Sequence, residues 1–390
     1  MRNRLHHVAR DERGMSLVFV TVTFMAVLTA TTLAIDVGMF MNVRSEAQNA
    51  ADAGALAGAV ALAFNSYTDR TPTGPAVQGA VNTAKANLVA GESVAIEPAD
   101  VTFPNAPNGQ PTRVAVQVFR TVERNNAVPT LLGTIFGVDR VDVRATATAE
   151  ASPANSMTCV KPFMIPDKWK EGDGSGWSTS STFDAYDKKG NPVPNPDYYS
   201  PAENPDYTGY TAKNDVGTQL VLRAGIGDEP NPSFYYSWKM PGDTGGDFYR
   251  DNIAHCNQSQ MTYDPDHPTY MIQEPGAQAG PTLQGIQALI DQDPDARFEP
   301  APGCNCVKSK FAQSPRVFPI PLFNPQYYAE GKANGRGASF QLANFLGFFA
   351  DHIDSNGRIY GIITAIGGSV TDTAGPAPIG MFAKAIRLVQ

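Results

Sequence analysis

The residues best suited to chemistry crowd into the second half of the chain. They are Cys159, Cys256, Cys304 and Cys306, the histidines His255, His267 and His352, and the acidic series Asp291, Asp293, Asp295 and Glu299. Thiolates and imidazoles bind zinc, but Cys304-Asn305-Cys306 has one intervening residue where a zinc knuckle has two or more. The acidic series offers oxygens at alternate positions, as a calcium loop does. Its sixth position is Ala296, where the loop turns on glycine, and its twelfth is Pro302, where a bidentate acid belongs. It reads as a solvated acidic turn after a helix. Asp173-Gly174-Ser175-Gly176-Trp177 starts like a cation-binding Asp-x-Ser-x-Ser loop but has Trp177 in place of the last hydroxyl. No Gly-x-Ser-x-Gly string accompanies the histidines, and Gly335-Arg336-Gly337 and Gly367-Gly368 lack the strand–glycine–helix context that cradles phosphate. The expectation is a non-enzymatic protein with no catalytic residues, no cofactor, no metal and no small-molecule substrate. An envelope hydrolase within residues 155–390 is the weakest alternative, since it should bring a catalytic pair or triad.

What the cysteines do depends on their compartment, and the N-terminus decides that. From Met15 to Ile35 there are 21 consecutive residues without a charge. As a helix they span roughly 30 Å, enough to cross the hydrocarbon core of a bilayer. Arg2, Arg4, Arg10 and Arg13 precede the run, so the positive-inside rule puts residues 1–14 in the cytoplasm and exports everything after Ile35. Those 14 residues carry +2 and the remainder −10 of a total of −8, which argues against nucleic acid as a partner of the exported part. In an exported region disulfides persist, and four cysteines allow two bridges. Cys304 and Cys306 are too close in sequence to pair comfortably with each other, so each is expected to reach back to Cys159 or Cys256.

The apolar run does not end in a turn. No proline or turn cluster interrupts the chain from Asp36 to Phe64, so one long helix is expected, half in lipid and half beyond it. Its second half presents small residues four apart: Ala47, Ala51, Ala55 and Ala59 on one line, Ala50, Gly54 and Gly58 on another. Such a face admits another backbone at close range, either the chain's own sheet or a neighbouring subunit. A shorter helix follows over residues 76–89, then strands over 93–97, 100–103 and 112–124, the last with Val114, Val116, Val118 and Val122 on one face interrupted by Arg120. Residues 129–136 read as one or two helical turns closed by Gly137. Val141, Val143, Ala145, Ala147 and Ala149 alternate with polar residues as a half-buried strand with a small inner face. Residues 36–152 are thus expected to form an α+β unit with the long helix lying across a small antiparallel sheet.

Residues 152–156 read as a linker to a second unit, 153–390. There, strands are expected over 160–165, 218–223, 233–240, 317–323, 338–349, 358–366 and 381–389, with one helix over 278–290 and a hairpin turn at Asp354-Ser355-Asn356-Gly357. The long loop 168–215 carries Tyr198, Tyr199, Tyr207 and Tyr210 among prolines; these tyrosines suit either an adhesive surface or burial under the loop.

The N-terminal pattern resembles a known family. Arg13-Gly14, the apolar helix, Ile35-Asp36-Val37-Gly38 and above all Gln48-Asn49-Ala50-Ala51-Asp52-Ala53-Gly54-Ala55-Leu56-Ala57-Gly58-Ala59 are similar to the N-terminal segment of TadE/TadG-like Flp pilus-assembly proteins. Gly54 stands where that family usually has alanine, and Phe136-Gly137 before the alternating strand fits the family's continuation, so the resemblance covers residues 13–150. It implies a membrane-anchored, pilin-like structural or assembly component of a Flp/Tad pilus or secretion system. Its partners would be other pilus-assembly or pseudopilin subunits, and it would make a single pass through the bacterial cytoplasmic membrane. A surface adhesin on the same anchor is the alternative. A pilin-type leader would be cut between Gly14 and Met15; the fifth residue after Gly14 is Phe19, where such subunits usually carry glutamate. Thr32-Leu33-Ala34 is a passable signal-peptidase site, but the 21-residue apolar run is long for a signal peptide, so an uncleaved anchor is expected.

Overall fold

The computed structural model describes residues 13–64, 69–107, 109, 111–187, 189–225, 229–276, 278–300, 305–311, 313–333, 339–371, 377–378 and 380–389. Arg2, Arg4 and Arg10, Pro302, Cys304 and the Gly335-Arg336-Gly337 turn lie outside the described residues.

Helix α1, Arg13–Phe64, runs unbroken for 52 residues. It contains the one helix stretch among the described residues long and apolar enough to cross a membrane. Helix α2, Pro75–Ala86, packs along its second half and stops short of the expected 89. Asn87 turns extended there, and Leu88–Val89 instead pair with Glu92–Ser93. Strands β1 (Val101–Thr102), β2 (Arg113–Arg120) and β3 (Val143–Pro153) form an antiparallel sheet beneath both helices. Val114, Val116 and Val118 of β2 and Ala145, Ala147, Ala149 and Ala151 of β3 are buried against α1. Val122 departs from the expected face: β2 ends at Arg120, and Val122 is exposed in the following turn. Arg120 keeps its place on the inner face by bonding the carbonyls of Val89 and Asn126 and the carboxylate of Glu92, so the buried guanidinium is paired.

The second unit is built on strands β4 (Phe163–Pro166), β5 (Gln219–Ala224) and β6 (Phe234–Ser237), helix α3 (Gly246–Ala254), strand β7 (Tyr270–Ile272), helix α4 (Ala279–Gln292), strand β8 (Val317–Phe323), helix α5 (Pro325–Ala333), and strands β9 (Ser339–Ile353) and β10 (Ile359–Ile363). The pairing order β9-β8-β4-β6-β5-β10 closes on itself, because β10 also pairs with β9. The β8–β4 and β6–β5 pairs are parallel and the other four antiparallel. Closure leaves these six strands without a free edge, while β7 adds to the start of β9 outside the ring. Phe163, Phe318, Phe323, Phe340, Phe345 and Phe348 belong to the core. The sequence expected one helix here; α3 and α5 are additional, and α3 packs on α4 through Gly285, whose ideal Cβ would lie 2.6 Å from Ile253 Cβ.

Residues 152–156 do not behave as a linker. Ser152, Ala154, Asn155 and Ser156 are buried, and Ser156–Met157 pair with Met261–Thr262. The last strand, β11 (Lys384–Val389), which the sequence grouped with the second unit, joins β3 of the first sheet as an antiparallel neighbour. Arg113 and Arg387 flank the buried Glu150 of β3 from β2 and β11. The observed class is α+β: an apolar N-terminal helix followed by a β-rich region with a disulfide.

The disulfide expectation changes. Cys159 pairs with Cys256 at a Cα separation of 4.4 Å, so neither is free to accept Cys304 or Cys306. Cys306 is itself disulfide-bonded. The Cys159–Cys256 bridge closes 97 residues of chain, a constraint on the unfolded state worth about 4–5 kcal/mol. Non-reducing peptide mapping should recover Cys159 joined to Cys256; a peptide joining either of them to Cys304 or Cys306 contradicts this pairing. A second expectation concerns backbone approach. A Cβ on Gly58 would lie 2.8 Å from Val114 Cγ1 and 3.1 Å from Ala80 Cβ, whereas one on Gly38 would meet nothing within 4 Å. Gly58→Ala should therefore destabilise the detergent-solubilised protein by about 1–2 kcal/mol despite the better helix former. Gly38→Ala should be neutral or stabilising, read by thermal or denaturant unfolding.

Candidate functional site

The anchor helix has two surfaces with different surroundings. Residues 15–31 are exposed all round, as a segment meant for lipid would be. From Val43 onward one stripe is buried. Ala47, Ala50, Ala51, Ala55 and Ala59 are at most 1 % exposed, and Gly54 and Gly58 are buried with them. Their neighbours are Ala76, Ala80 and Ala84 of α2 and Val114 and Val116 of β2. The small-residue face is thus filled by the chain itself, and the alternative of a neighbouring subunit on that face does not hold. Gly14 and Met15 lie in the first turn of α1, and Phe19 is exposed.

Sequence reasoning missed Asp36. It is 6 % exposed at the end of the apolar run, and its carboxylate accepts hydrogen bonds from the backbone N–H groups of Leu131 (3.1 Å) and Leu132 (3.2 Å). A charged acceptor shared by two N–H groups ties loop 129–138 to the helix. The only signal was an acid directly following an apolar span.

In the second unit the tyrosine-rich loop folds inward. Tyr199 and Tyr210 are buried and only Tyr198 of the four is largely exposed. The organising group is Asp167, wholly buried just after β4, which accepts from Tyr199 Oη (2.9 Å), Tyr207 Oη (2.8 Å) and the N–H groups of Tyr210 (3.0 Å) and Lys168 (2.9 Å). Burial pushes the Asp167 carboxyl up to about 6, against the pull of these four donors. Burial and the adjacent Asp167 charge push the Tyr199 and Tyr207 phenols well above their ordinary range. Asn344 of β9 donates to Tyr207 Oη (2.8 Å), so the loop is pinned to the ring of strands. Trp177, set aside above as the misfit in a cation loop, packs edge-on against Tyr210 and Trp169, while Asp173 accepts from the Ser175 N–H in an ordinary turn.

Lys161 is a second buried ionisable group of this unit. Its Nζ donates to the carbonyls of Ile253 and His255 at the C-terminus of α3 and lies 5.4 Å from the Phe318 ring. A cation fits there because the last carbonyls of a helix are unsatisfied and carry its negative pole. Burial lowers this amine to about 7. A cavity of about 450 Å³ beside it is also lined by Cys159, Cys256 and Ser314. The histidines do not converge. His255, His267 and His352 are exposed, each bonded to an aspartate within four residues: Asp251, Asp264 and Asp351. The acidic series is not a solvated turn throughout. Asp293 is fully buried, accepts from the hydroxyls of Ser309 and Ser314, and leaves its carbonyl to Arg316 Nη1 at 2.9 Å. Among the described residues no three His, Cys, Asp or Glu side chains gather as metal ligands.

Residues 14–61 match the model of the Tad family, described as "Putative Flp pilus-assembly TadE/G-like". The match covers the apolar span and the buried small-residue stripe, the segment whose pattern suggested that family. No curated protein and no solved structure matches the chain. The family match and the apolar helix together support a pilus-associated membrane component.

The two buried groups make opposite demands on pH. Between about pH 4 and 6 the folded state keeps a proton on Asp167 that the unfolded chain has lost, so stability falls as pH rises through that window, by about 3 kcal/mol for two pKa units. Above about pH 7 the unfolded chain holds a proton that Lys161 has lost, and Lys384 follows above about 8. Stability from these two therefore rises with pH up to their ordinary value of 10.5. Unfolding midpoints measured across pH should show both limbs. Asp167→Asn should flatten the acid limb alone, and Lys161→Met should reduce the alkaline limb alone.

Proposed function

We propose that this chain is a single-pass, pilin-like structural or assembly component of a Flp/Tad-type pilus or secretion system, and that it is not an enzyme. The observation that carries the reading is the division of α1 into an exposed apolar half and a half seated on the chain's own sheet, coinciding with the Tad family match over residues 14–61. A helix of this kind tethers a folded unit directly to the membrane, with no flexible joint between span and domain. The arginines before Met15 favour a cytoplasmic N-terminus, with residues 36–390 on the far side of the cytoplasmic membrane. The Cys159–Cys256 pairing suits an oxidising compartment. The partners proposed are other subunits or assembly factors of the same machinery. The small-residue stripe is occupied within the chain, so these partners would use other surfaces. The adhesin alternative loses its best support, because Tyr199, Tyr207 and Tyr210 are engaged with Asp167 and not offered to solvent.

Fractionation should find the chain in the membrane fraction, resistant to carbonate and high salt. Detergent extraction with cross-linking should recover components of a pilus-assembly machinery alongside it, and intact mass should correspond to an uncleaved N-terminus. A mature chain starting at Met15 would mean pilin-type processing despite Phe19, and recovery without any pilus-assembly component would count against the proposal.

A further inference from the structure

Loop 129–138 has a composition at odds with a water-facing loop. Leu131, Ile135, Phe136 and Val138 are 62, 71, 56 and 48 % exposed. They surround a short 3₁₀ turn, Gly133–Phe136, closed by Gly137 in the left-handed conformation. The loop lies against one face of α1, where it lines an apolar cavity with Thr29, Thr32, Leu33, Val37 and Phe40. Thr32 and Asp36 are buried under it, Leu33 at the rim of the cavity is 64 % exposed, and Ile35, outside the cavity, is 44 % exposed. Thr29 and Thr32 lie roughly 10 and 6 Å before Asp36 along the helix axis. The loop therefore overlaps the final turns of the apolar run instead of starting beyond it.

Its backbone is equipped for that position. Non-helical backbone survives near lipid only where its polar groups are satisfied. The N–H groups of Leu131 and Leu132 go to Asp36, that of Thr130 to the Asp139 carbonyl, and those of Ile135, Gly137 and Val138 to carbonyls within the loop. Thr130 Oγ1 donates to the Val138 carbonyl at 2.6 Å. These bonded polar groups turn inward while Leu131, Ile135, Phe136 and Val138 turn outward, with Thr134 the exposed polar side chain among them. The charged residues Asp139 and Arg140 begin where the apolar ones end.

We propose that this loop is a second membrane contact, with Leu131, Ile135, Phe136 and Val138 seated in the lipid interface on the exported side of the bilayer that α1 crosses. The occupant is lipid because the loop is continuous with the exposed apolar surface of α1 at the same height along the helix. This inference rests on the reading of residues 15–35 as a membrane span. Its consequence is a fixed depth and tilt for α1, since Asp36 joins the loop rigidly to the helix at the membrane surface.

The test uses the full chain reconstituted into phosphatidylcholine–phosphatidylglycerol vesicles, with added tryptophans read as the difference from the parent protein. Ile135→Trp and Phe136→Trp should emit blue-shifted fluorescence and lose roughly half of the added emission when the lipids are brominated high on the acyl chain. Leu88→Trp, exposed on the soluble unit, is the unquenched control, and Phe24→Trp should be quenched by lipids brominated deep in the chain. Failure at 135 and 136 with Phe24→Trp quenched overturns the loop contact alone; failure at all three overturns the membrane span as well. Blue-shifted emission at 135 and 136 that ignores brominated lipid means a second copy or another protein covers the loop, and overturns the proposal. Asp36→Leu should abolish the lipid quenching at 135 while leaving that at Phe24→Trp; quenching at 135 that survives it overturns the coupling of loop to helix.

Discussion

Everything in the first unit depends on how near α1 can come to its own sheet. Gly54 and Gly58 leave no room for a side chain. A Cβ at either would sit 3.0–3.2 Å from α2 backbone or alanine carbons and 2.8–3.3 Å from a valine of β2. Alanines on α1, α2 and β3 keep the same separation along the rest of the contact. Large side chains would contribute more apolar area per residue, but they would hold the layers apart. Small ones give many short contacts and a stiff seat for the helix. The exposed apolar half and the half seated on the sheet belong to one unbroken helix.

The second unit solves a different problem. Its six-stranded ring removes free edges, and three buried polar groups tie neighbouring segments to it. Lys161 closes the C-terminus of α3, Asp167 gathers the long tyrosine loop, and Arg316 takes the carbonyls of Asp293, Ala296 and Ala350 with its guanidinium 4.8 Å from the Phe349 ring. Each is a charge in an apolar setting, tolerable because nearly every polar atom around it is bonded. The raised Asp167 carboxyl and the lowered Lys161 amine are the residual cost of that burial. These groups act as fasteners between the segments they join.

The two units are joined by backbone and not by a tether. β11 returns from the end of the chain to extend the first sheet beside β3, and Ala154, Ser156 and Ser369 continue the hydrogen bonding from one unit to the other. The end of the second unit therefore shares a sheet with the part seated on α1.

Much of this was legible in the residue pattern. The uncharged run, the four-residue recurrence of alanine and glycine, the alternation in β2 and β3 and the turn at Asp354–Gly357 are local periodicities that polypeptide geometry converts directly into elements. They gave the long helix, the α+β order and most strand positions. Periodicity is silent about partners at long sequence separation. It left open whether the small-residue face meets another subunit or the chain itself, and whether the tyrosines face water or the core. It led the cysteine pairing astray, because spacing along the chain says nothing about which Cα atoms a 97-residue loop brings to 4.4 Å. It also hid Asp36, Asp167 and Asp293, since a carboxylate looks the same in sequence whether it is solvated or clamped. The sequence by itself determined the long helix, its apolar half and most of the strands, because those follow from local steric and hydrophobic periodicity. Only the tertiary structure decided what each face touches and which charges are buried, because those contacts join residues separated along the chain by up to hundreds of positions.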